Sequence, residues 1–287
     1  MIVKILLIVL VLIVLVFAGI LARDVIVHKD EPKTRPYWLL GLTGLITDFF
    51  DTLGIGSFVL TTAIFKATKA VDDKLIPGTL NIAHAIPTAL QALIFIIVVK
   101  VNVLTLVSLI FSATVGAWLG AGIISKFNRR NIQLTMGIAL ALTALLMILS
   151  MLGLVKGHGD ATELTGGLLV AGITGNFILG VLMTAGVGLY APCMAMLFLL
   201  GMSPLVVFPI MMGSCAFLMP VAGVRFIKAD RYARKPAAAI AVLGCVGVLI
   251  AAYVITSLPL QLLKIVVIVV VLYTSVIMLY SAAKKLK

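Results

Sequence analysis

Uncharged stretches of spanning length recur along this sequence. They include Ile5 to Ala22, Leu75 to Val99 (broken only by His84), Val101 to Ser125, Asn131 to Val155 and Ile265 to Ala283. A bilayer core of roughly 30 Å is crossed by about 20 apolar residues in a helix, so each run reaches or nearly reaches spanning length. The alternation of apolar and polar residues that marks a transmembrane strand is absent, which excludes a β-barrel. Composition agrees: 63% of the 287 residues are hydrophobic and 11% charged, against about 45–50% and about 25% in a soluble domain. The expected fold is an all-α polytopic membrane protein.

The net charge of +12 does not point to nucleic acid. Basic residues gather at the ends of apolar runs, as in "RYARK" (Arg231 to Lys235), where they act as topology signals and lipid headgroup contacts. No basic stripe carries interleaved aromatics. Cys193, Cys215 and Cys245 lie in apolar stretches, form no Cys-x-x-Cys pair and are not spaced with a histidine as a zinc set. They read as small buried hydrophobes, and no metal or cofactor is expected. The first apolar run is too long for a signal-peptide core and lacks a small-x-small cleavage site before Arg23, so it reads as a retained helix.

Spans are expected at about 4–22, 37–65, 75–99, 101–124, 131–154, 165–200, 205–226, 237–256 and 260–282, about nine in all. Two are too long for one plain helix. Trp38 to Phe65 carries charge only at Asp48 and Asp51, and Leu164 to Val224 carries none. Both contain a glycine break: "TLGIG" begins at Thr52 and "TAGVG" at Thr184, an offset of 132 that also pairs Pro77 with Pro209. Further along the offset is 131, pairing Gly116 with Gly247. This predicts an internal duplication: an N-terminal helix and basic linker (1–36), a first repeat (37–154), a linker (155–164) and a second repeat with a basic C-terminus (165–287). Four spans per repeat make the repeats parallel. Should the glycine breaks fold back as re-entrant hairpins, both the count and the relative orientation change. On the four-span scheme fourteen basic residues face the side of the C-terminus and eight the other, which favours N-out, C-in.

The polar islands suggest a site. Glycine lets a helix unwind, and unwound backbone is tolerated in a membrane only under cover of protein or a water-filled cavity. Half-helices starting near Ser57 and Leu189 would present free N–H groups suited to an anion. Paired broken segments in matching positions mark the central site of a transporter. Asp48 and Asp51 share one helix face and occur in one repeat only, their counterparts being Gly180 and Met183. Carboxylates at membrane depth are functional candidates, here for proton or sodium coupling. Asn81 and His84 lie at i, i+3 on a proline-flanked span and can converge. The expected substrate contacts are Thr52, Gly54, Gly56, Ser57, Asn81, His84, Thr184, Gly186, Gly188, Tyr190 and Ser214, with Asp48 and Asp51 as coupling residues. An intramembrane protease is disfavoured, because both acids lie on one turn and "MGSC" (Met212 to Cys215) does not match a serine-protease motif. The chain therefore reads as a non-enzyme. An ion channel and a non-transporting scaffold or sensor are the rival classes.

Gly54-Ile55-Gly56 after a leading span, the later Gly186-Val187-Gly188, and the polar-basic turns "VKVN" (Val99 to Asn102) and "IKADRYARKP" (Ile227 to Pro236) resemble the sulfite exporter TauE/SafE family. The resemblance runs from about Leu40 to Ala283. It implies a plasma-membrane carrier, built from four plus four spans, for sulfite, organosulfonates or related sulfur-containing anions. A carrier for a non-sulfur solute is the alternative, and oligomeric state is left open.

Overall fold

The computed structural model describes residues 2–28, 36–72, 74–120, 134, 137–138, 141–142, 144–145, 148–149, 152, 159–184, 186–256 and 260–284. Among them lie eleven named helices: α1 (Ile2–Val27), α2 (Tyr37–Thr52), α3 (Ser57–Thr68), α4 (Ile76–Ala83), α5 (Ala85–Val98), α6 (Val103–Gly120), α7 (Gly166–Met183), α8 (Tyr190–Leu199), α9 (Pro204–Lys228), α10 (Arg234–Thr256) and α11 (Leu260–Lys284). Five of these, α1, α6, α7, α9 and α10, are long and apolar enough to cross a membrane. The pair α4 and α5, bent by 41° at His84, makes a sixth if counted as one span. Pro87 lies just beyond that bend; lacking an N–H, it leaves the Ala83 carbonyl without its helical donor. The chain is thus a helical, membrane-embedded protein. The expected span at 131–154 falls largely outside the described residues.

Among the described residues five helices, or six spans with the bent pair, reach spanning length rather than nine, and the glycine-broken helices expected from the sequence are present. The expected spans 37–65 and 165–200 each divide into a longer and a shorter helix, α2 with α3 and α7 with α8. Both breaks use the same backbone device. Gly54 (φ 94°) stops α2, with Gly54 N–H donating to the Asp51 carbonyl (2.8 Å) and Ile55 N–H to that of Phe50 (3.2 Å). At an offset of 132, Gly186 (φ 83°) stops α7, with Gly186 N–H donating to Met183 (2.9 Å) and Val187 N–H to Leu182 (3.3 Å). A left-handed residue with this pair of bonds closes off the last carbonyls of a helix, and glycine adopts it without strain.

After each break the chain turns back. A Cβ added to Gly172 would meet Leu200, and one on Gly175 would meet Met196, so α7 and α8 are antiparallel. The entrance and exit of that hairpin are tied together by Ala161 N–H donating to Gly201 O (3.0 Å) and Ser203 N–H to Ala161 O (2.8 Å). On the other side, Thr61 of α3 bonds His84 at 3.0 Å. The connection from Lys69 to Leu75 is folded by Ala70 N–H to Phe65 O (3.2 Å) and Leu75 N–H to Asp72 O (2.9 Å). A link that compact cannot recross the bundle, so α3 runs antiparallel to α4 and leaves by the face from which α4 departs.

Helix directions then correct the parallel arrangement expected from the sequence. Gly78 of α4 abuts the Arg231 backbone just beyond α9, Ile82 lies near Gly223, and Phe95 stacks on Phe208 with ring centroids 5.4 Å apart. These contacts run in opposite order along the two elements, so α4–α5 and its counterpart α9 are antiparallel. Segments that correspond at the offset are inverted. The helix crossings carry the same signature. A Cβ on Gly247 of α10 would lie 2.2 Å from the Leu45 carbonyl of α2, and one on Gly116 of α6 would lie 2.1 Å from the Phe177 carbonyl of α7. Leu45 and Phe177 are 132 apart, Gly116 and Gly247 131. Only glycine permits backbones to approach so closely.

One face of the bundle gathers the ends of α1, α6 and α9 and the starts of α4 and α10. Asp24 of α1 accepts from the Tyr232 hydroxyl and from Arg234 Nε (2.8 Å), Ala233 N–H donates to Thr79 Oγ1 (2.9 Å), and Arg225 donates to the Trp118 carbonyl. The opposite face gathers Asn102, Glu163, Leu164 and Ser203. Among the described residues, Arg23, Lys66, Lys69, Lys74, Arg225, Lys228, Arg231, Arg234, Lys235 and Lys284 fall on the first face, and Lys4, Lys100 and Lys264 on the second. The four-span scheme had put Lys66, Lys69 and Lys74 opposite this group and Lys100 with it; the folded-back hairpins exchange them. The charge bias becomes sharper as a result.

Candidate functional site

Two hairpins entering from opposite faces bring their short helices, α3 and α8, together in the interior. A Cβ on Gly56 would lie 3.9 Å from Tyr190, and one on Gly188 would lie 3.7 Å from Phe58. A crevice of about 10 Å³ opens here, lined by Gly56, Phe58, Gly188, Tyr190 and, from α11, Thr274 and Met278. That is room for on the order of one water molecule.

Beside this junction lies a buried network with two branches. In the first, Asp48 Oδ1 is 2.8 Å from His84 Nδ1, and His84 Nε2 is 3.0 Å from Thr61 Oγ1. Asp48, His84 and Thr61 have no solvent exposure. The bend between α4 and α5 presents the imidazole to α2 on one side and α3 on the other. In the second branch, Asp51 Oδ1 accepts from the Ser57 backbone N–H, and Asp51 Oδ2 accepts from Gln91 Nε2 at 2.9 Å. Gln91 Oε1 in turn accepts from the Tyr190 hydroxyl at 2.6 Å. The Asp51 carboxylate therefore occupies the N-terminus of α3, the position the sequence suggested for a bound anion, where backbone donors and the helix dipole favour negative charge. An Asp48 carboxylate held by an imidazole, with a second carboxylate one helical turn away, is an arrangement that can take up and release protons.

Five of the expected site residues meet here: Asp48, Asp51, Ser57, His84 and Tyr190. Gly54 and Gly56 (φ 88°) form the first break, and Gly186 and Gly188 belong to the second. Thr52 and Thr184 do not contribute hydroxyls to the junction. Thr52 Oγ1 donates to the Asp48 backbone carbonyl (2.8 Å) and Thr184 Oγ1 to that of Val181 (2.9 Å), so each serves its own helix. Asn81 and His84 do not converge: Asn81 Nδ2 turns back to the Pro77 carbonyl at 2.9 Å. Ser214 belongs to a separate cluster, accepting from Asn176 Nδ2 at 2.9 Å while that amide also donates to the Leu109 carbonyl at 2.8 Å.

Three participants were not read from the sequence: Thr61, Gln91 and Asn176. Gln91 had a signal, since it lies two helical turns beyond His84 on the same face of an otherwise apolar span. Asn176 lies one turn before Gly180, the counterpart of Asp48, so the second half joins its long hairpin leg to the next helix through neutral groups. Several buried acceptors have no hydrogen-bond partner: Asp48 Oδ2, Ser57 Oγ, Asn81 Oδ1, Thr88 Oγ1 and Asn176 Oδ1. Buried polar atoms are rarely left so, and three of these, Asp48 Oδ2, Ser57 Oγ and Thr88 Oγ1, belong to residues in or beside the Asp48–His84 and Asp51–Gln91 network.

Compared with protein-family models, with curated proteins and with solved structures, the chain matches none.

Proposed function

We propose that the protein is a secondary transporter in which a small solute binds between the tips of two inverted hairpins and moves with protons carried by the Asp48–His84 pair and Asp51. One observation carries this reading: a wholly buried carboxylate–imidazole pair stands beside the only place where the two inverted segments touch tip to tip among the described residues. The inversion itself supports an alternating mechanism. An internal duplication in opposite orientations gives two conformations of similar energy, related by exchange of the halves, and each opens toward a different face. The small crevice suits a closed state between them.

The substrate class is a small sulfur-containing anion such as sulfite or an organosulfonate, by the resemblance of the glycine motifs. Electrostatics links that choice to proton coupling. A monovalent anion about 5 Å from an ionised carboxylate is repelled by roughly 3 kcal/mol at an effective dielectric constant of 20. Protonation of Asp51 removes that repulsion, so proton and anion occupy the site together. The unpartnered Asp48 Oδ2 and Ser57 Oγ favour a second reading, in which sodium replaces the proton. The basic face would lie in the cytoplasm, placing the protein in the plasma membrane with N-terminus out and C-terminus in.

The test is uptake of labelled sulfite into proteoliposomes under an imposed pH or sodium gradient, with sulfonates as competitors. Saturable uptake accelerated by the pH gradient supports the proposal. Uptake indifferent to both gradients removes the coupling role, and absence of sulfite or sulfonate uptake removes the substrate class.

A further inference from the structure

Gln91 hydrogen-bonds to both hairpins, and it does so with opposite ends of a single amide. Its NH₂ group donates to Asp51 of the first hairpin (2.9 Å) and its carbonyl accepts from Tyr190 of the second (2.6 Å). All three side chains are buried. An ionised carboxylate only accepts, so it dictates this orientation of the amide. Beside the Tyr190 phenol stands Thr88 Oγ1, one turn before Gln91 on α5, buried and without a partner.

We propose that Gln91 is a positioning residue that relays the protonation state of Asp51 to Tyr190 by inverting its amide. The inference rests on the proton-coupled reading of the same site and adds the means by which one hairpin senses the other. When Asp51 takes a proton on Oδ2, that oxygen becomes a donor and faces the Gln91 NH₂, donor against donor. A half-turn about the terminal torsion of Gln91 restores the match: Oε1 now accepts from the Asp51 O–H, and Nε2 donates to the Tyr190 oxygen. The phenol keeps its own proton but can no longer direct it to Gln91, and turns it to Thr88 Oγ1. The added proton stays on Asp51, and every bond lost has a replacement. The orphaned threonine hydroxyl in the observed arrangement is the acceptor that the other arrangement requires. Because Tyr190 opens α8 and lines the crevice, its hydroxyl changes direction at the tip of the second hairpin whenever the first changes charge.

Other titratable groups face this network from each packed element. On α2 there is Asp48, at the α4–α5 bend His84, on α8 Tyr190 itself and on α9 Cys215, while Cys245 of α10 faces Asp48. The experiment must therefore assign bands by variant rather than by pH alone.

The test is infrared difference spectroscopy of the purified protein in liposomes between high and low pH, with isotope-labelled tyrosine and side-chain-labelled glutamine. Asp51→Asn assigns the carboxyl band and Tyr190→Phe the tyrosine band. In the wild type, acidification should produce the Asp51 carboxyl band together with shifts of a glutamine amide band and of the Tyr190 band. Gln91→Leu should keep the carboxyl band and lose the Tyr190 shift. Thr88→Val, which leaves Gln91 in place, should keep the carboxyl and glutamine changes and lose or alter the Tyr190 shift, so the inference stays open to test even if Gln91→Leu does not fold. A Tyr190 shift that survives in Gln91→Leu overturns the relay. So does a wild-type Asp51 band without a Tyr190 shift, or no Asp51 band at any pH the fold withstands. Labelled sulfite separates this from the wider reading: no sulfite flux in the wild type removes the transport proposal while the infrared outcomes still decide the relay.

Discussion

Replacing Gly244 by alanine tests the site through a helix crossing that sequence alone would treat as ordinary packing. A Cβ at that position of α10 would lie 2.2 Å from Asp48 Oδ2, 3.0 Å from Asp48 Cγ and 2.8 Å from Pro87 Cγ. Ordinary contact begins near 3.4 Å, so the carboxylate must retreat by roughly 1.2 Å. Moving α10 away instead would open its close crossing with α2, where Gly247 packs on the Leu45 carbonyl. A shift of that size takes the 2.8 Å bond from Asp48 to His84 beyond hydrogen-bonding distance. Overpacking costs about 1–3 kcal/mol, and breaking a buried pair about 3–5 kcal/mol. Because both costs arise from one displacement they overlap rather than add, and a loss of about 3–5 kcal/mol is expected. Thermal unfolding in detergent, compared at one scan rate, should show a melting temperature lower by roughly 10 °C. Gly19→Ala, on α1 with nothing within 4 Å of the added carbon, serves as the neutral control. The decisive companion is the double variant Asp48→Gly with Gly244→Ala, which reproduces the glycine–alanine pairing of Gly180 and Ala113 at the counterpart crossing. It should recover most of the lost stability while remaining inactive. A single variant as stable as wild type, or a double variant no better than the single, would refute the reasoning.

Asp51→Asn should abolish gradient-driven sulfite flux while sparing counterflow exchange, because a carboxamide cannot cycle a proton; equal gradient-driven flux in variant and wild type would exclude the coupling role. Gly116→Ala and Gly247→Ala should each destabilise by about 1–3 kcal/mol, since the added carbon meets backbone rather than a yielding side chain; unfolding midpoints within error of wild type would contradict the close crossings. Cysteines placed at Lys74 and Lys100 should react with an impermeant maleimide from opposite sides of oriented vesicles, Lys74 from the side of the C-terminus; labelling of both from one side would contradict the folded-back hairpin at α2–α3.

Much of this architecture was legible in the sequence. Uncharged runs gave the class, and the glycines at 54, 56 and 186 gave the breaks. The offset joined segments that the structure indeed builds with matching caps and crossings. Direction was not legible, for a physical reason. A helix that continues past a break and one that turns back bury the same apolar residues, and hydropathy is blind to which way a helix runs. The evidence lay in close contacts such as Gly78 with Arg231 and Gly175 with Met196, which only the folded chain displays.

The candidate site was legible where charge interrupted apolar sequence, at Asp48, Asp51 and His84, which form a buried network. It was overread at Thr52 and Thr184, because a hydroxyl inside a helix readily satisfies itself on the carbonyl three or four residues back. It was underread at Gln91 and Asn176, since a neutral amide leaves an apolar run looking continuous. Gln91 nevertheless joins the two hairpins, and Asn176 joins α7 to α9 and α6.

The measurement that bears most directly on the central claim is labelled sulfite flux in proteoliposomes, wild type beside Asp48→Asn, with and without an imposed pH gradient. Saturable wild-type flux, accelerated by the gradient and made indifferent to it in the variant, is the predicted result. Gradient acceleration preserved in Asp48→Asn, or no flux of any sulfur anion by the wild type, would contradict it.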